Sequence, residues 1–333
     1  MCSVVLDVKY SSIEEYRQGL SKLDMRVLQV TPGRFMCQLR ELELPKVTIG
    51  DRFFSTAMHW QTAVKHDYLY IVLPTCNSGL SVNGQNTLIN QPIVFSKHQE
   101  MLFRIPINYP KYYVIVMLSA EFARYYGNEN IERLKNHIIN PNYEKKIFPN
   151  FSCHLKSICV LIEKLLNYGN LLNYQAAIDA QETLLDLLCK LLKLDFTISK
   201  SNGDFQSRQL AIVSRALNFI HKNSVLNITI PELAKVSFCC IRTLEYSFKV
   251  VMNMTPKQYI IKRRLNLIFN ALKSNSVSSI REITTTYGIV NQGRFAQDYY
   301  KFFNEYPHQT QKKLTETFIL KVMRCYKLLI LLK

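Results

Sequence analysis

Acidic residues are scarce in this chain of 333 residues: 25 Asp and Glu stand against 42 Lys and Arg, a formal net charge of +17. That imbalance argues for an acidic partner, either nucleic acid or an anionic membrane. Long apolar runs are missing as well. No stretch of about 18 uncharged apolar residues occurs, which excludes a helix that spans a bilayer. No basic region followed by an apolar run opens the chain, so no signal peptide is expected. The nine cysteines form no C-x-x-C pair, and the adjacent Cys239 and Cys240 suit neither a zinc site nor a simple disulfide. Reduced thiols in a cytoplasmic protein fit that usage. His59, His66 and His98 offer no H-x-H spacing for a cupin metal, and neither G-x-S-x-G nor G-x-x-x-x-G-K-[ST] appears. The expectation is therefore no enzyme, no metal and no cofactor.

What is present changes character along the chain. Residues from about 25 to 120 read as short strands: "RFMCQLRELEL", "YLYIVLP" and "YYVIVML" are rich in β-branched, aromatic and leucine residues. Asn83-Gly84 in "VNGQ" is the strongest hairpin signal. Many short strands with frequent turns imply a small barrel or sandwich, cupin-like in outline. From about 150 to 196 the period becomes helical. Leu155, Ile158, Leu161, Ile162 and Leu165 form one stripe. Ile178, Leu184, Leu185, Leu188, Leu191 and Leu192 form another. Gly169 and Asn170 lie between them as a helix end and loop. These leucine-rich helices either cover the strands or make a dimer interface. Polar residues 198–207, with Asn202-Gly203, read as a linker.

Residues 208–314 hold sixteen Lys and Arg against five Asp and Glu, so most of the surplus charge sits in this helical third. Two similar units occur there. Thr229 and Glu232 make a capping box, with Pro231 in the first turn. Leu233 and Ala234 face inward, Ser237 to Cys239 turn the chain, and a second helix follows with Leu244 and Phe248 inside. Arg242, Glu245, Tyr246 and Lys249 are left outside. Ser279 and Glu282 repeat the box, Gly288 ends the short helix, and Asn291 caps the next. There Phe295, Tyr299 and Phe302 or Phe303 share a face, leaving Gln292, Gly293, Arg294, Gln297 and Lys301 elsewhere. A long helix, capped by Thr255 with Pro256 at its first position, joins the two units. A polar helix held by a buried aromatic face after a tight turn is how a protein enters the major groove. Arg294 can bond guanine O6 and N7, and Gln292 or Gln297 can bond adenine N6 and N7.

In this region the chain resembles the AraC/XylS transcription regulators. "ELAKVSFCCIRTLEYSFKVVMNMTPKQYIIKRRL" is similar to their first motif and linking helix, and "YGIVNQGRFAQDYYKFFNEYPHQTQ" to their second. "GRFAQDYYKFF" is nearest the branch with ethanolamine-operon regulators. The resemblance covers about 100 residues. It implies that one domain reads two successive major-groove segments, and that regulation is activation through RNA polymerase. Arg242, Glu245 and Tyr246 match the family's base-facing positions in the first recognition helix; Gln292, Gly293, Arg294 and Gln297 match those in the second. Several positions depart from the pattern. Phe238 stands for a turn glycine, Cys240 for a serine cap and Thr284 for a small alanine. Asn253 and Asn304 stand for glycines, where Asn tolerates the left-handed conformation.

The expected fold class is α+β. Residues 1–197 make a sensor or dimerisation domain, 198–207 a linker, 208–314 a DNA-binding domain with tandem helix-turn-helix motifs, and 315–333 a basic apolar helix. The expected function is a sequence-specific regulator bound to double-stranded DNA. A small-molecule effector and a homodimer are further expectations for the N-terminal part. Two alternatives remain at this point: a non-specific basic DNA-binding protein, and a cupin-like enzyme with a helical appendage.

Overall fold

The computed structural model describes residues 4–75, 79–87, 92–97, 100–127, 149–193, 203–223, 228–274 and 278–312. The tail at 315–333 and linker residues 198–202 lie outside the described residues. The chain divides into two compact units: Met1–Val27 with Phe35–Leu210, and Leu28–Arg34 with Ala211–Lys333. The architecture is α+β.

Among the described residues the first unit is built on eleven strands in two antiparallel sheets. In chain order they are β1 (Val5–Tyr10), β2 (Leu23–Gln29), β3 (Cys37–Glu43), β4 (Val47–Phe54), β5 (Met58–Val64), β6 (Tyr68–Leu73), β7 (Ser81–Val82), β8 (Gln85–Asn86), β9 (Ile93–Ser96), β10 (Glu100–Ile105) and β11 (Tyr109–Leu118). One sheet has the order β1-β3-β4-β11-β6-β9, the other β2-β5-β10-β7-β8. Asn83 and Gly84 both adopt positive φ, 52° and 86°, and join β7 to β8 as the two-residue turn their types favour.

Strands β6 and β11 explain why the region reads as near-continuous apolar runs. Leu69, Ile71, Leu73, Ile115 and Met117 join one core cluster, while Tyr70, Val72, Tyr112, Val114 and Val116 join another. The side-chain period of two thus feeds a core on each face of the sheet. The first cluster is closed by α2 (Ser119–Tyr126), α3 (Pro149–Tyr168) and α4 (Tyr174–Lys193). Leu155, Ile158, Ile162 and Leu165 of α3 and Leu184, Leu185, Leu188, Leu191 and Leu192 of α4 are all spent there. Of the two uses open to the leucine stripes, covering the strands is the one observed. Arg40 fastens α3 to the sheet by bonding Asp51 on β4 and Glu163 on the helix, and the Tyr113 hydroxyl donates to Glu163 at 2.8 Å.

Two details at the ends of these elements were not read from sequence. A short helix, α1 (Ile13–Gly19), is capped by Ser12, whose side chain accepts from the Glu15 amide, and buries Tyr16. Gly169 starts a 3-10 turn rather than a left-handed cap. Its need for glycine is space, since a Cβ there would lie 2.7 Å from Leu42 Cδ2.

The helices of the C-terminal part are α5 (Gly203–Lys222), within which the division between the units falls, and then α6 (Ile230–Val236), α7 (Ile241–Met252), α8 (Pro256–Ser274), α9 (Ile280–Thr286) and α10 (Gln292–Phe303) of the second unit. Helix α5 starts at Gly203, so residues 203–207 of the expected linker are helical.

Candidate nucleic-acid interface

Both short helices start from reciprocal capping boxes. The Glu232 amide donates to Thr229 Oγ1 at 3.3 Å and the Thr229 amide to Glu232 Oε2 at 3.5 Å. Ser279 and Glu282 do the same at 3.1 and 2.8 Å. The turns that follow also match. The Cys239 amide donates to Ala234 O, and the Ile289 amide to Thr284 O. Phe238 and Gly288 occupy the equivalent left-handed position, at φ 55° and 72°. The correspondence lengthens by one residue in the second turn and then holds. Asn253 and Asn304 both end their helices in the left-handed conformation. Beyond them the Thr255 amide donates to Gln258 Oε1 and the Tyr306 amide to Gln309 Oε1. The two motifs are thus one structural unit used twice.

The second helix of each motif is fixed by what it buries. On α7 these are Leu244, Ser247, Phe248, Val251 and Met252. On α10 they are Phe295, Tyr299, Phe302 and Phe303, which join Ile268, Leu272 and Ile283 in one cluster. Phe303 stacks on Phe269 of α8 at 4.6 Å between ring centroids. Arg263 of α8 donates to the carbonyls of Ile220 and His221, terminal acceptors that α5 cannot satisfy itself.

The faces left over follow from a turn of ~100° per residue. Around α7 the direction opposite the buried stripe falls on Arg242, Tyr246 and Lys249, with Glu245 beside them; all four are exposed. Around α10 it falls on Gln297 and Lys301, flanked by Gly293 and Arg294, and these too are exposed. Arg294 lies 3.9 Å from Asp298 in an open i,i+4 pair. It also lines a groove of about 480 Å³ with Arg264 and Ile261 of α8 and with Val290, which is 94% exposed. Asn291 accepts from the Arg294 amide at 2.9 Å, so the cap and the basic side chain come from one turn.

Gln292 is placed differently from its expected outward position. It is half-buried, its Oε1 lies 2.9 Å from the Thr284 hydroxyl, and its Nε2 donates to Ile289 O at 3.3 Å. Thr284 supplies this partner. The same hydroxyl lies 2.8 Å from Ile280 O, and its single proton is shared between these acceptors. The pairing of Thr284 with Gln292 had no signal in the sequence, because it depends on the turn geometry.

Residues 233–313 match the family described as a helix-turn-helix domain. A XylDLEGF operon transcriptional activator of Pseudomonas putida is 35% identical over 117 residues, which cover 34% of this chain and 34% of that protein. A second such activator from the same organism is 34% identical over 99 residues, covering 29% of this chain and 62% of its own. The chain thus spans about a third of the first relative's length. Among solved structures, the AraC-like transcriptional activator CuxR aligns with a TM-score of 0.42 at 14% identity, over 78% of this chain and 94% of its own. That likeness assigns no role to any residue. Among the described residues, no helix is long and apolar enough to cross a membrane.

Proposed function

We propose that this protein is a sequence-specific, DNA-binding regulator of transcription in the AraC/XylS manner, acting as an activator. The carrying observation is the duplicated motif. Each of the two helices buries one apolar face, leaving Arg242, Glu245, Tyr246 and Lys249 exposed on one, and Gly293, Arg294, Gln297 and Lys301 on the other. In this reading α7 and α10 enter successive major-groove segments of one duplex. Arg242 and Arg294 take guanine edges, Gln297 and Tyr246 adjoining bases or sugars, and Lys249 and Lys301 phosphates. Gly293 lets the backbone approach a phosphate. Gln292 holds the second turn in shape rather than touching a base. The activator relatives support activation, with RNA polymerase as the partner that would receive it. The domain plan expected from sequence, a sensor in residues 1–197 and a DNA-reading part in 208–314, belongs to this proposal, as does a cytoplasmic location. Homodimers would have to form away from the leucine stripes. Within the family, "GRFAQDYYKFF" favours the ethanolamine-regulator branch; that assignment rests on those residues alone, since the activators quoted above serve a different operon.

Selection of bound duplexes from a random DNA pool by the full chain tests the proposal. A site enriched in two half-elements about one helical turn apart is the expected result. Retention of DNA with no enriched sequence would instead make the protein a non-specific basic binder.

A further inference from the structure

The turns before α7 and α10 differ by one residue. The Cys239 amide closes the first turn on Ala234 O, and Cys240 at once takes the cap position of α7. The Ile289 amide closes the second on Thr284 O, but Val290 intervenes before Asn291 caps α10. The turn does not need the extra residue, because the first copy closes without one. Nor does the core need it. Ile289 packs against the cluster that holds Phe295 and Tyr299, whereas Val290 is 94% exposed.

A lone exposed valine is ordinary on a protein surface. This one is set apart by its neighbours. Asn291, next in the chain, accepts from the Arg294 amide at 2.9 Å, which ties Val290 to the first turn of α10. The Arg294 side chain lines the same groove as Val290. Its Nε lies 3.9 Å from Asp298, so the pair leaves the two terminal nitrogens for another acceptor. Two arginines, Arg264 and Arg294, line that groove against one acid, Asp298, an excess that favours a polyanion. An arginine fork and exposed methyl groups thus open on one groove at the leading end of a helix. The major groove offers the matching pattern. Guanine presents O6 and N7 to a fork, and thymine presents a methyl on C5. Valine loses little freedom on such a contact, since branching at Cβ already restricts χ1.

We propose that Val290 reads a thymine, packing its methyl groups on the C5-methyl of the base next to the guanine that Arg294 holds. The assignment rests on the reading of α10 as a helix that enters the major groove, and extends it to a residue outside that helix. It gives the second motif a base contact for which the shorter first turn has no equivalent.

The test uses the full chain and the duplex returned by selection from a random pool. Each thymine of that site is replaced singly by deoxyuridine, which lacks only the methyl, and affinity is read by fluorescence anisotropy. Deoxyuridine next to the base pair that Arg294→Ala relaxes should weaken the unchanged protein by about fourfold, the effect of burying one methyl-sized group. Val290→Ala should bind thymine and deoxyuridine equally at that position. Its urea midpoint should stay in place, as expected for an exposed side chain, so that lost discrimination cannot come from lost folding. Equal affinity of the unchanged protein for thymine and deoxyuridine at every position would overturn the assignment. So would a thymine preference that survives Val290→Ala, or a selected site with no thymine beside that base pair. Unchanged binding of every duplex by Val290→Ala, with loss of activation in a transcription assay with RNA polymerase, would place a protein on Val290 instead of a base. All these outcomes leave the regulator reading intact; that reading fails only if selection enriches no sequence.

Discussion

The two glutamines of α10 make a sharp test of inside against outside. Gln292→Ala removes the amide that meets the Thr284 hydroxyl at 2.9 Å and Ile289 O at 3.3 Å. A net ~0.5–1.5 kcal/mol belongs to an average hydrogen bond. Two such bonds would give up to ~3 kcal/mol if neither group found a replacement. The Thr284 hydroxyl still reaches Ile280 O at 2.8 Å, however. Ile289 is only half-buried, so water can take the lost place on its carbonyl. The expected cost is therefore about 1 kcal/mol of stability, read from the urea midpoint at unchanged slope. Affinity for the selected site and for random DNA should fall together by no more than about twofold, because no base contact is lost. Gln297→Ala reverses the pattern. An exposed side chain on a helix costs less than ~0.5 kcal/mol of stability. A lost bidentate adenine contact costs ~1–3 kcal/mol at a single base position. Both variants would be titrated by fluorescence anisotropy against the selected site, each single-base variant and random duplex. Lost discrimination in Gln292→Ala with a silent Gln297→Ala would refute the assignment of faces.

Arg294→Ala should cost about 1–3 kcal/mol on the preferred site and relax one base position, whereas Lys301→Ala should weaken all sequences alike and lower the salt slope by about one; equal loss on every DNA for Arg294→Ala would make it a backbone contact. Thr229→Ala and Ser279→Ala each remove the side-chain half of a capping box and should cost ~1 kcal/mol in a urea titration, with unchanged base preference. Among the cysteines, brief alkylation near neutral pH followed by peptide mass analysis should label the exposed Cys240, whose thiol is drawn below its usual value by contact with the Thr243 hydroxyl. It should spare Cys37, which burial pushes up to about 12; the reverse order would contradict the burial assigned to both.

How much was legible in the sequence depended on whether the signal was local. Capping boxes, the Asn83-Gly84 turn and the leucine stripes are written within a few residues, and the structure places each where its local chemistry puts it. The amphipathic rule also separated Phe295 and Tyr299 from Gln297 and Lys301. The outward expectation for Gln292 fails because that residue stands three before Phe295 and seven before Tyr299, on the same face as the buried stripe, and a neighbour eight positions away supplies its partner. Strand β1 and helix α1 escaped because "VLDVKY" buries no residue fully and α1 is only seven residues long, too short for a periodic pattern. The side chains that meet around Arg52 in the interior, Tyr16 and Trp60 among them, were hidden for a different reason. They come from α1, β4 and β5, and only the tertiary fold collects them.

The two copies of the motif differ most at the start of their recognition helices, and that difference is measurable. In the second copy Asn291 caps α10 through its side chain. In the first, Cys240 has the extended backbone of a cap, φ −76° and ψ 161°, yet makes no capping hydrogen bond. Its thiol instead lies 3.1 Å from the Thr243 hydroxyl. Just before it Phe238 is 83% exposed at positive φ, a conformation that costs ~1–2 kcal/mol without glycine. The Arg215 guanidinium lies 5.5 Å from its ring centroid, which returns ~0.5–1 kcal/mol. The first copy thus carries a small net strain and an unfilled cap at once, while the backbone for the cap is already in place. Cys240→Ser should fill it, because a serine oxygen accepts the Thr243 amide more strongly than a thiol does, and should add ~1 kcal/mol. Hydrogen exchange of the amides at the start of α7 should slow by about fivefold, with α10 unaffected. Equal slowing in both helices would show that the substitution acts on the whole unit, and no slowing at all would show that the first turn of α7 is already held by something other than its cap.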